Sequence, residues 1–123
     1  MGYKLRVKRI YLPKESSDGI RILVDRLWPR GVSKERASLD FWAKEVTPSP
    51  QLRKWFGHKA ENFDNFKESY ISELDHNEEA RIFAQKCKGW LNDSNVTLLY
   101  AAKDTVHNHA VILEKWLQDK LTS

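Results

Sequence analysis

Histidines, basic side chains and a few carboxylates are the groups of this sequence that could do chemistry, and two short segments concentrate them. One is Asp25-Arg26-Leu27-Trp28-Pro29-Arg30-Gly31; the other is Lys103-Asp104-Thr105-Val106-His107-Asn108-His109. An arginine grips a carboxylate or phosphate with two parallel hydrogen bonds. A histidine moves a proton near neutral pH. The expected division of labour gives Arg26, Arg30 and Lys103 an anionic ligand. His109 or His107 then moves a proton, and Asp25 or Asp104 orients it. Trp28, between basic residues, could stack on a base or ring or pack over a sheet edge. The bland alternative has Asp104 or Thr105 simply capping a helix and Asp25 paired with a nearby arginine.

A metal-dependent enzyme using His58, His107 and His109 is a second reading. Residues two apart on a helix point about 200° apart, so a helical His-x-His does not converge on one ion. Helical ligand pairs want a spacing of four. The pair converges only if His107 is still in a loop. His58 follows Gly57 at a helix end, where a capping or surface role is the simpler expectation.

The single cysteine, Cys87, excludes an intramolecular disulfide and a cysteine-based zinc site. It shares an apolar helix face with Phe83 and Leu91 and reads as a core thiol. No Gly-rich phosphate loop or nucleophile elbow is present, so no cofactor is specified.

These groups need elements to position them. Leu5 to Ile10 alternates apolar and basic residues, the period of a half-buried strand. Ile20 to Val24 is β-branched and nearly continuous, a buried strand. Val96 to Ala102 reads as a central strand, apolar on both faces. Ser33 can cap a short helix running towards Ala37, and Leu39 to Ala43 reads as another short helical piece. Ser49-Pro50 opens and Gly57 closes a further helix. Phe63, Phe66, Tyr70 and Leu74 share one helical face, and Ala80, Phe83, Ala84, Cys87 and Leu91 another. A last helix starts near Thr105 or His107 and turns Ala110, Leu113, Leu117 and Leu121 inward.

The expected fold is α/β: a small, mainly parallel sheet of about three or four strands covered by helices, with Rossmann-like layering. Residues 1–123 form one domain in this reading. The strand near Leu5 is expected to run antiparallel, because the link to Ile20 is too short for an ordinary crossover helix. Ligands of open α/β sheets bind beyond the carboxyl ends of the strands. If the strands carrying Val24 and Tyr100 are parallel, the two charged segments meet there. The second also opens a helix, whose free N–H groups favour anions.

Charge is unevenly placed within a net +4. Residues 1–36 hold ten lysines and arginines against four acidic residues, and the remainder eleven against thirteen. A nucleic-acid-binding module using this basic N-terminal third is therefore an alternative partner reading. No run approaches the ~20 apolar residues of a membrane span, and the N-terminus lacks a signal-peptide-like apolar stretch. A cytoplasmic protein is expected.

Three motifs in order carry a family resemblance. They are Val24 to Gly31, then Leu52-Arg53-Lys54-Trp55-Phe56-Gly57-His58, then Thr97 to Asp104 with His107-Asn108-His109-Ala110. Over nearly its whole length the chain resembles the YeaO-like branch of the domain-of-unknown-function 488 family. The resemblance implies a compact α/β fold and a bacterial or archaeal cytosolic setting; it supplies no reaction. Longer relatives are similar to one another around a Cys-His-Arg motif after the last strand. The matching positions here read Asn108-His109-Ala110. The resemblance thus leaves no thiol mechanism at that position and singles out His109, followed by Arg26.

Overall fold

The computed structural model describes residues 2–122. Four strands, β1 (Leu5–Arg9), β2 (Ile20–Leu23), β3 (Phe41–Trp42) and β4 (Val96–Tyr100), form one sheet in the order β1-β4-β2-β3. Every pairing is parallel. The α-helices are α1 (Lys34–Ala37), α2 (Pro50–Phe56), α3 (Phe63–Asp75), α4 (Glu78–Trp90) and α5 (His109–Leu121). The α/β class expected from the sequence is the one observed.

The antiparallel placement of β1 is overturned. It pairs with β4, not with β2, in parallel register from Leu5 opposite Val96 to Arg9 opposite Tyr100. Distance explains how a short link suffices. The residues between Arg9 and Ile20 can span roughly 30 Å when extended, while β1 rises only about 17 Å. An extended return with one 3-10 turn at Ser16–Asp18 brings the chain back to the start of the sheet.

The Leu39 to Ala43 stretch is likewise not helical. Phe41 and Trp42 pair with Ile22 and Leu23. The Asp40 and Ala43 N–H groups donate to the carbonyls of Arg21 and Leu23. Aromatic residues suit a pleated edge, and backbone partners along β2 outweigh weak local helix propensity.

Strand periodicity sends side chains to alternate faces. On one face Ile22, Val24, Leu98 and Tyr100 join the main core beneath α3, α4 and α5, including Phe66, Tyr70, Cys87, Leu113 and Leu117. On the other, Leu23 and Leu99 join a smaller core with Val32 and Ala37. The two layers are unequal, since the second is only α1 and loops.

The smaller face holds a buried charge network. Arg21 is 1% exposed. Its Nη1 donates to Asp18 Oδ2 at 2.5 Å, and its Nε and Nη2 donate to the Ala37 carbonyl. Lys8 Nζ donates to both carboxylate oxygens of Asp18. Thr97 Oγ1 donates to the Asp18 carbonyl. Much of the basic N-terminal third is therefore engaged with the fold itself. Arg6 also donates to the Ser17 carbonyl, and Arg9 to the carbonyls of Ala101 and Ala102.

Candidate functional site

Parallel pairing of β2 with β4 puts their carboxyl ends side by side. The segments that follow them, 25–31 and 101–109, therefore share one edge of the sheet. They line a cleft of about 880 Å³. The third wall is α2 with the residues just before and after it, contributing Pro48, Arg53, Lys54, Phe56 and His58.

Asp25 ties these pieces together. Its Oδ2 accepts from the Ala101 N–H at 3.0 Å, and its carbonyl accepts from Trp42 Nε1 at 2.7 Å. His109, the first residue of α5, returns to the end of β2. Its Nε2 lies 2.8 Å from the Val24 carbonyl oxygen and 3.0 Å from Asp25 Oδ1. A carbonyl oxygen can only accept, so Nε2 carries the proton and donates to it. Asp25 Oδ1 is close enough for charge attraction but is buried without a hydrogen bond of its own.

Helix α5 begins later than its sequence suggests. Asp104 Oδ1 accepts from the Val106 and His107 N–H groups, an Asx turn that holds those donors outside the helix. These bonds, with the His107 ring against the other oxygen, hold the Asp104 carboxyl down at about 2. Asn108 is the N-cap. Its side-chain oxygen accepts from the Val111 N–H, and its amide donates to the Asp104 carbonyl. Asn108 lines the cleft, yet both ends of its side-chain amide already serve the backbone.

Nine of the ten residues singled out from sequence line this cleft: Asp25, Arg26, Trp28, Arg30, His58, Lys103, Asp104, Asn108 and His109. His107 does not. Its ring sits 2.9 Å from Asp104 Oδ2 and edge-on to Phe63 at 5.2 Å. So although His107 is in a loop, it does not converge with His109. Among the described residues no group of three or more His, Cys, Asp or Glu is placed to share an ion. The geometry thus does not assemble the triad of His58, His107 and His109.

Trp28 proves to be wall. Its Nε1 donates to the Val32 carbonyl, and its ring meets Trp42 edge-on at 5.4 Å. His58 sits in left-handed backbone, φ 59°, directly after Gly57 at φ 55°. A non-glycine residue there is strained.

Charge sets the character of the cleft. Arg26, Arg30, Arg53, Lys54 and Lys103 line it against two carboxylates, Asp25 and Asp104, both of which already accept backbone N–H groups. Arg26 reaches the Pro48 carbonyl at 3.3 Å, and its Nε is buried without a partner. Among the described residues the charged ends of Arg30, Arg53, Lys54 and Lys103 have no protein partner. Arg53 and Lys54 were not singled out from the sequence. Their signal was present in the Leu52 to His58 motif, where basic residues stand beside Gly57-His58. An exposed helix face gives no hint that it borders a cleft.

Residues 4–123 match the family described as the inactive DUF488-N3 subclade. The chain belongs to the DUF488 family. Within it, the chain is 47% identical over 115 residues to Uncharacterized protein YeaO of Escherichia coli (strain K12), covering 93% of this chain and 96% of that protein. It is 37% identical over 117 residues to Uncharacterized protein Rv3073c of Mycobacterium tuberculosis (strain ATCC 25618 / H37Rv), covering 95% and 96%. Uncharacterized protein Mb3100c of Mycobacterium bovis is equally similar. No solved structure gives a significant match. Among the described residues of this DUF488 chain, no helix is long and apolar enough to cross a membrane.

Proposed function

We propose that this DUF488 chain is a cytoplasmic binding domain that holds an anionic, phosphate- or nucleotide-like ligand at the carboxyl edge of its sheet. One observation carries the reading: four cationic side chains without protein partners line the same cleft as Arg26. Like charges gathered in one cavity repel one another, and an anion relieves that repulsion. The start of α5 adds partial positive charge at the same edge.

Binding is favoured over turnover. The subclade is described as inactive. The position matching the relatives' thiol is Asn108, a buried helix cap. His109 and Asp25 act in this reading as supports that fix the ends of β2, β4 and α5, and thereby the cleft.

Titration calorimetry with orthophosphate and with adenosine monophosphate tests the proposal. Saturable binding is expected, and Arg30→Ala/Lys103→Ala should weaken it by at least about tenfold with the melting temperature unchanged. Absence of binding to either anion in the unaltered protein sinks the reading.

A further inference from the structure

Resting on that anion-binding reading, we infer that the ligand carries two linked anionic centres, as a diphosphate does, and that it bridges two walls of the cleft. The cations come from opposite origins. Arg30 and Lys103 follow β2 and β4, which are neighbours in the sheet. Arg53 and Lys54 stand on α2, which packs chiefly on α3. Arg26 lies between them: it leaves the end of β2 and reaches the Pro48 carbonyl just before α2. Its buried, unpartnered Nε is a donor at the junction of the two walls.

Charge argues against a single phosphate. A phosphate monoester carries about −1.5 to −2 at neutral pH. Five cationic side chains against two carboxylates exceed that charge. Both carboxylates are occupied by backbone donors: Asp25 by Ala101, and Asp104 by Val106 and His107. Neither is positioned as the counter-ion of α2. A second phosphate joined to the first supplies the missing charge and extends towards Arg53 and Lys54.

The experiment compares orthophosphate with inorganic pyrophosphate by calorimetry, at matched ionic strength and without divalent ions. Pyrophosphate should bind at least about tenfold more tightly. Arg53→Ala/Lys54→Ala replaces two exposed residues of α2. It should cost pyrophosphate at least about tenfold more affinity than it costs orthophosphate. Circular dichroism of the variant confirms that α2 is retained. Equal affinities for the two anions in the unaltered protein, or equal losses for both in the variant, overturn the bridging ligand and leave the anion cleft standing. If neither anion binds, both proposals fall.

Discussion

His109 Nε2 stands 3.0 Å from Asp25 Oδ1 while donating its proton to the carbonyl of the residue before it, Val24. This pairing joins the start of α5 to the end of β2. Through Asp25 Oδ2 and Ala101 it also reaches the end of β4. Removing either partner leaves partly buried polar atoms without compensation, at a cost of about 1–3 kcal/mol. Asp25→Ala and His109→Ala should each lower stability by that amount. Because the two groups touch, the double variant should lose less than the sum, with a coupling of about 0.5–3 kcal/mol. Urea denaturation of the four proteins measures it; strict additivity would show that the contact contributes nothing.

Asp18 lies under two cations, Lys8 and Arg21. Asp18→Asn leaves Arg21 charged and buried with its carboxylate gone, an expected loss of about 3–5 kcal/mol. Replacing both members with apolar residues of similar volume, as in Asp18→Leu/Arg21→Met, should recover most of that loss. Thermal unfolding of both variants decides. A single variant as stable as the parent would mean that water, not Asp18, compensates Arg21.

Acid should weaken the fold through two carboxylates. Burial pushes the Asp18 carboxyl upward, but the Glu15 N–H, Lys8 and Arg21 outweigh it and the net displacement is downward. Asp104 is held at about 2 against an ordinary 3.8, first by the His107 N–H and then by the Val106 N–H. A group lowered on folding contributes stability that is complete above its unfolded value and lost as pH falls through its folded value. The Asp104 contribution should therefore disappear between 3.8 and about 2. Urea midpoints measured across that range should fall, and Asp104→Asn should flatten the slope. An unchanged slope in the variant would remove Asp104 from the account.

His58 occupies left-handed backbone at the rim of the cleft. A side chain there costs roughly 1–2 kcal/mol. Glycine would relieve that strain but loses roughly 0.4–1 kcal/mol through the greater freedom of the unfolded chain. His58→Gly should therefore raise stability, by up to about 1.6 kcal/mol. A clear decrease in melting temperature would show that the imidazole, 6.0 Å from the Phe56 ring, contributes packing that exceeds the strain.

The α/β class and the separate helices were legible in the chain because they are local. Ser49, Pro50 and Gly57 mark α2 through capping and backbone preference, and the observed helix spans Pro50–Phe56. Apolar residues at helical spacing placed Phe66, Tyr70 and Leu74 inward, and they are buried. The meeting of the segments after β2 and β4 was legible only conditionally, because it required those strands to be parallel.

Local residue pattern suffices to mark most of the elements and the polar segments that interrupt them, since propensity, capping and periodicity act over a few neighbouring residues. The partners were set by long-range packing. It set β1 beside β4, turned Phe41 and Trp42 into an edge strand, and brought Arg53 and Lys54 to the cleft of Arg26 and Lys103. It also turned Lys8 and Arg21 onto Asp18 and His107 away from His109. The physical reason is the same throughout: these contacts join residues distant in the chain, and their energies depend on burial and geometry that no local window contains.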